Sequence, residues 1–186
     1  MASVLYCLLC ATAALAMVLM FTISVIPPFI LISDESCGTE MQLGVWRVCV
    51  EIINELGVPA KVCGTYSAAN STPGGIKVAE AFHCLAMITF GFAMASSLII
   101  QRMQVPRWVY FAPQVFVFMS AVLMALMTGC MVHVGRKFRS PVYEVHASTG
   151  LVIACVSGVL AITYGVLAHI IHTRSRREDY LPIQAE

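Results

Sequence analysis

The sequence has little charge for its length. Lys and Arg together number 11 and Asp and Glu number 10, so only 11% of the 186 residues are charged, whereas 59% are hydrophobic. A soluble domain carries roughly a quarter charged residues. Because this much apolar surface needs a non-aqueous solvent, we expect a membrane protein with the lipid bilayer as its first partner. The chain also lacks a basic stripe, so we expect no nucleic-acid partner.

The apolar residues fall into four long runs that lack the strict alternation of a membrane barrel. Each run is long enough for the roughly 20 residues that cross a hydrocarbon core. Since lipid satisfies no backbone polar groups, each run is expected to be a helix. We therefore predict an all-α membrane protein, a four-helix bundle forming one domain over residues 1–186. The predicted spans cover residues 4–26, 78–100, 108–134 and 146–171.

The first span lacks the positive charge that precedes a cleavable signal peptide, and its apolar run continues beyond a normal signal-peptide core. Ala11-Thr12-Ala13 and Ala14-Leu15-Ala16 nevertheless match the small-residue pattern of a cleavage site. We interpret the segment as an uncleaved signal anchor.

A long polar loop over about 33–77 carries three cysteines, Cys37, Cys49 and Cys63. A disulfide bond between Cys49 and Cys63 would close a loop of about 13 residues and stabilise it by roughly 3 kcal/mol; the alternative is two unpaired thiols. Cys37 would then compete for that pairing, pair with Cys130 at the outer end of the third span, or link to another chain. Asn70-Ser71-Thr72 is a glycosylation sequon.

Four spans place both termini on one side of the membrane. Basic residues alone do not decide which side, because both sides carry several. Cysteines and the sequon belong outside the cell, so we predict an extracellular loop, cytosolic termini and a cytosolic tail over 173–186. The Arg136-Lys137-Phe138-Arg139 cluster counts against this orientation.

Small residues recur at four-residue spacing in two spans. Helices in lipid associate without a hydrophobic drive and rely on such residues for close approach. The fourth span has a first row of Gly150, Ala154 and Gly158 and a second row of Ser157, Ala161 and Gly165. The third span has one row, Ala121, Ala125 and Gly129. We expect a closely packed bundle, although the spacing does not separate packing within the chain from oligomerisation.

The segment Gly44-Val45-Trp46-Arg47-Val48-Cys49, followed by Cys63, resembles the Gly-Leu-Trp-x-x-Cys…Cys signature of the claudin and peripheral-myelin-protein superfamily. The start of the second span, Ile76–Phe82, and Arg107-Trp108-Val109 are similar to the amastins, tetraspan surface glycoproteins of kinetoplastid parasites. The chain departs from claudins in a longer cysteine spacing and in having Trp46 as the only tryptophan of the loop.

The resemblance implies a small extracellular β-sheet that covers the bundle. Its structural core would include Trp46, Cys49 and Cys63, and Arg47 would contact helix ends or lipid headgroups. The implied function is structural: adhesion, self-association or modulation of another membrane protein at the plasma membrane. An auxiliary subunit of a channel or larger membrane complex would share every one of these features.

A redox function is the alternative from another class, since we otherwise expect no enzyme and no cofactor. Two histidines on facing helices at one depth can hold a haem, and His83 with His146 is the best such pair. The spans show neither a chain of buried acids and bases nor a discontinuous helix, so a proton relay or transporter is not predicted.

The tail contains Tyr180-Leu181-Pro182-Ile183. Tyr180 and Ile183 match the tyrosine-x-x-bulky-apolar pattern, which resembles endocytic sorting signals. This motif predicts cycling of the protein through endosomes.

Overall fold

A computed structural model describes most of the chain, namely residues 2–25, 28–34, 39–53, 57–66, 74–102, 107–139 and 143–180. Four long helices dominate it. Their bounds are Ala2–Val25 (α1), Gly74–Arg102 (α2), Ala112–Phe138 (α3) and Thr149–Tyr180 (α4), and a 3₁₀ turn, Arg107–Phe111, leads into α3. Each contains a stretch long and apolar enough to cross a membrane, which agrees with the four predicted spans and indicates a multi-pass membrane protein.

Helix boundaries differ from the predicted spans chiefly around α4. This helix begins at Thr149 rather than at His146. The reason is that the backbone before it is held by the start of the sheet: the N–H of Ser148 donates to the carbonyl of Phe29 (3.1 Å), and the N–H of Gly150 donates to that of Pro28 (2.9 Å). The predicted tail also begins inside α4, which continues to Tyr180.

Five strands form one antiparallel sheet in the order β4-β3-β2-β1-β5. The strands are Ile30–Asp34 (β1), Thr39–Leu43 (β2), Arg47–Ile53 (β3), Pro59–Thr65 (β4) and Tyr143–Ala147 (β5). The predicted bundle of four long helices is present, and so is the small sheet implied for the first loop. Its fifth strand was not predicted, and it comes from the connection between α3 and α4.

The sheet is amphipathic, and alternation along each strand explains how it lies on the bundle. Ile30 pairs with Leu43, and both side chains are buried against the helices. On the opposite face, Lys61 donates a hydrogen bond to the side-chain oxygen of Gln42 (2.5 Å), and Glu51 lies opposite Lys61 in the ladder. One face thus covers one end of the helix bundle, and the other presents polar groups.

Within the bundle, α2 packs along α3 and α1 packs along α4, with α3 beside α4. Phe90 of α2 meets Tyr164 of α4 edge to face at 5.5 Å between ring centroids. On the outside, large apolar side chains such as Val18 and Phe21 of α1 are more than half exposed. A continuous apolar exterior of this kind is solvated well by a lipid bilayer and poorly by water.

Candidate functional site

The disulfide bond between Cys49 and Cys63 is present in the sheet. The two residues lie directly opposite each other in the β3–β4 ladder, and the turn between these strands contains Gly57, whose φ of 73° suits glycine. Cys130, a suggested partner for Cys37, is a free thiol. Cys37 itself lies outside the described residues. The prediction of this cross-link is confirmed, and it ties one edge of the sheet together.

The predicted loop signature forms a tight turn between β2 and β3. The N–H of Gly44 donates to the carbonyl oxygen of Arg47 (2.8 Å). The hydroxyl of Tyr66 donates to the carbonyl oxygen of Gly44 (2.9 Å) in a buried position. Burial raises the pKa of the Tyr66 phenol, and the negative charge of Glu80 raises it further. Tyr66 was not predicted, and a lone aromatic residue after a strand gives no sequence signal for this role.

Trp46 joins the sheet to the membrane helices. Its ring meets the ring of His83 of α2 edge to face, with 6.3 Å between centroids. Nε2 of His83 lies 3.0 Å from the hydroxyl of Ser24 in α1. One loop residue and two helices therefore meet at a partly buried polar cluster, in which the side chain of His83 is fully buried. The side chain of Arg47 is exposed and forms no ion pair with any residue that the structure describes. Its contact with helix ends or lipid headgroups stays a prediction.

The first small-residue row of α4 and the row of α3 lie in different surroundings. In α4, a Cβ on Gly150 would come within 2.6 Å of the Pro28 carbonyl oxygen, and Ala154 is buried. Gly158 has open space beside it. In α3, the row of Ala121, Ala125 and Gly129 is turned outward: the last two are exposed, and a Cβ on Gly129 would meet nothing within 4 Å.

The second row of α4 includes a close approach to α3. A Cβ on Gly165 of α4 would come within 3.0 Å of Val117 of α3. Ser157 and Ala161 of the same helix are fully buried. The face of α4 that is turned into the bundle thus includes Ser157 and Ala161. The α3 row faces outward, where it can contact lipid or another molecule.

His83 and His146 are not brought together as a pair. The side chain of His83 is 0% exposed between α1, α2 and Trp46. That of His146 lies on β5, is 61% exposed, and has its Nε2 3.1 Å from a carboxylate oxygen of Glu144. A haem between two imidazoles needs both rings facing one space, and this arrangement does not supply it. Among the described residues, no group of three or more metal-ligating side chains gathers either.

The β3–β4 hairpin reaches beyond the helices that the rest of the sheet covers. Val48 packs on the cores beneath the sheet. By alternation Ile52 of β3 shares that face, and Val62 of β4 lies on it opposite Val50. Ile52 is nevertheless 49% exposed and Val62 58% exposed. We call this pair the apolar overhang.

Two of the predicted sites lie wholly or partly outside the described residues. The sequon residue Asn70 is outside them, as is Ile183. Tyr180 is the last residue of α4. Their predicted roles in glycosylation and sorting stay predictions.

The arrangement as a whole can present a polar surface on one side of a membrane and join it rigidly to four spans. Comparison of the sequence with protein-family models and with curated proteins gave no match.

Proposed function

We propose that the protein is a cell-surface structural tetraspan, claudin-like or amastin-like, that organises the membrane by contact with copies of itself or with another membrane protein. In this proposal it resides in the plasma membrane with both termini in the cytosol and the sheet outside the cell. The observation that carries the proposal is the apolar overhang of a disulfide-closed sheet, which none of the helices that the structure describes covers.

The chemistry of the sheet supports the extracellular side. Disulfide bonds persist in oxidising compartments and are rare in the cytosol, and Cys49 and Cys63 form one. Polar side chains such as Glu40, Glu51 and Lys61 occupy the face turned away from the bundle. A surface of this kind suits contact with water and with other proteins rather than with lipid.

The apolar overhang supports lateral association. Fully burying a valine or isoleucine side chain contributes about 1.5 to 3 kcal/mol. Two copies that each bury Ile52 and Val62 against the other would therefore gain several such contributions. In a membrane, where copies share one plane and one orientation, a modest gain per molecule suffices to pair them.

The test is the association of full-length protein in the plasma membrane, measured by energy transfer between copies labelled at the C-terminus. Val62→Lys places a charge in the overhang and is expected to reduce transfer. Thr65→Lys is the matched control, because it adds the same charge on the same strand but on the opposite face. Equal transfer for Val62→Lys, Thr65→Lys and the unchanged protein would contradict the proposal.

An auxiliary role in a larger complex is separated from self-association by co-purification. If a different membrane protein is recovered with the wild-type chain in fixed ratio and is lost from Val62→Lys, the overhang binds that protein. Energy transfer between labelled copies, with no other membrane protein recovered, supports self-association.

A further inference from the structure

A cavity of about 200 Å³ lies where the edge strand β5 meets the ends of α3 and α4. Its apolar wall includes Val132 of α3 and Leu151 of α4, and its polar rim consists of Arg136, Arg139 and His146. All three rim side chains are exposed. The cavity therefore combines cationic donors at its mouth with an apolar interior.

The close approach of sheet and helices forms the back of this cavity. A Cβ on Gly135 of α3 would meet the side chain of Ile30 at 2.6 Å, and one on Gly150 of α4 would meet the Pro28 carbonyl oxygen at the same distance. Because α3 meets the side chain of Ile30 and α4 meets the backbone at Pro28, the sheet and the two helices close the back of the cavity. A side chain larger than hydrogen at either glycine would displace that wall.

The position of the cavity along the helices matches a membrane boundary. The membrane-competent stretch of α3 ends at Phe138, and that of α4 begins at Thr149. Val132 lies within the apolar part of α3, whereas Arg136 and Arg139 lie in and just past its last turn. A molecule with a charged head and an apolar tail would enter this site without leaving the bilayer.

The positive charge of the rim determines which head group of a ligand fits there. Neither Arg136 nor Arg139 has a carboxylate within ion-pair distance among the residues that the structure describes. Guanidinium groups match phosphate oxygens in geometry and charge. Glu144 lies beside His146 but is not part of the wall. By contrast, the wall of a second cavity, of about 260 Å³, contains no arginine or lysine among the described residues.

We propose that this cavity, the rim-arginine site, binds one phospholipid of the leaflet on the side of the sheet. Its phosphate lies between Arg136 and Arg139, and an acyl chain follows the apolar wall formed by Val132 and Leu151. The shared chemistry of the ligand is a phosphate ester attached to a hydrocarbon chain. The site would fix a lipid between the sheet and two helices, which differs from the general attraction of basic residues to a membrane surface.

Native mass spectrometry of the detergent-purified full-length protein tests this proposal. The probes are dioleoylphosphatidylglycerol, dioleoylphosphatidylcholine, dioleoylglycerol and inorganic phosphate, each titrated separately. We expect one tightly held copy of each phospholipid. Dioleoylglycerol is expected to bind at least about tenfold more weakly because it lacks the group that two charge-assisted hydrogen bonds recognise. Inorganic phosphate, which lacks the chain, is expected to bind more weakly still.

Two pairs of variants separate the site from its surroundings. The double variant Arg136→Gln/Arg139→Gln is expected to weaken phospholipid binding at least about tenfold. Lys137→Gln removes a neighbouring positive charge that does not line the cavity and is expected to bind as the unchanged protein does. Ala147→Trp fills the cavity while keeping every charge and is expected to abolish the tight copy. Its control, Ala60→Trp, lies on the opposite edge strand, β4.

The contrary outcomes are equally definite. If Lys137→Gln weakens binding as much as the double variant, the arginines act only as general surface charge and the proposal fails. If dioleoylglycerol equals the phospholipids, or if inorganic phosphate binds as tightly as they do, the site is not a phospholipid site. Formation of the Cys49–Cys63 disulfide bond, seen as a gel shift on reduction, shows that each variant is folded. Should the double variant not fold, Ala147→Trp against Ala60→Trp decides the question.

Discussion

Removing the disulfide bond is expected to open one edge of the sheet while leaving the helices in place. Cys49 and Cys63 are 14 residues apart in the sequence. For a closed loop of this length the chain-entropy model gives about 3 kcal/mol of stabilisation. The double variant Cys49→Ala/Cys63→Ala should therefore raise the population in which β3 and β4 are separated by roughly two powers of ten.

The assay is hydrogen exchange followed by mass spectrometry on full-length protein in lipid nanodiscs. Amides of β3 and β4 should exchange faster in the double variant, in proportion to the larger open population. Amides of α3 and α4 should keep most of their protection, because these helices pack chiefly on other helices and on β1 and β5, and the hairpin meets α3 only near its end, where Val48 packs with Val134 and Phe138. The double variant should also reach the cell surface less efficiently, since an opened sheet exposes unpaired strand edges.

The matched control is Cys155→Ala, which removes an exposed free thiol of α4. It should leave both exchange and surface delivery unchanged. Unchanged exchange of β3 and β4 in the double variant would refute the reasoning that the cross-link holds the hairpin closed. Accelerated exchange throughout the helices would refute the independence of the bundle.

Three further predictions concern the junction between sheet and helices. Tyr66→Phe leaves the buried carbonyl oxygen of Gly44 without its donor and should cost about 1 to 3 kcal/mol of stability, measured by denaturation of the purified protein. Burial raises the Tyr66 pKa above its unfolded value. The stability that neutral Tyr66 contributes is therefore fully present below the ordinary tyrosine pKa of about 10 and is lost as pH rises towards the folded pKa. A thermal-unfolding series from neutral to alkaline pH should show this loss of stability, and Tyr66→Phe should reduce it. Gly150→Ala brings a Cβ to 2.6 Å from the Pro28 carbonyl oxygen and should cost about 1 to 3 kcal/mol of stability. Gly158 has open space beside it, so Gly158→Ala should leave the melting temperature unchanged or raise it. Equal effects of the two substitutions on the melting temperature would contradict the packing described.

The spans and the disulfide bond were predictable because each rests on a local and strong constraint. Bilayer thickness fixes the length of an apolar run, and Cys49 and Cys63 flank a single hairpin. The strand Tyr143–Ala147 was not predictable in this way. It is five residues long and adjoins the apolar run of α4, so nothing local separates it from the helix. Its pairing with β1, which is more than 100 residues away in the sequence, decides its conformation.

Which face of each helix is turned into the bundle could not be predicted from the sequence either. In a soluble protein a polar face tells which side of a helix is outside, but in lipid both sides are apolar. Spacing alone therefore favoured Ala125 and Gly129 as much as Ser157 and Ala161, although only the latter pair is buried. The basic cluster at the end of α3 was read only for orientation. Its position beside an apolar cavity required the fold.

The measurement that tests the account most directly is the sidedness of the sheet in intact cells. In a Lys77→Arg/Lys137→Arg background, Lys61 on β4 is the only lysine of the chain. A membrane-impermeant amine reagent applied to intact cells should modify the peptide that contains Lys61, while an epitope at the C-terminus should bind antibody only after permeabilisation. Modification of Lys61 only after permeabilisation, with the C-terminal epitope accessible in intact cells, would contradict an extracellular sheet carried on four spans with cytosolic termini.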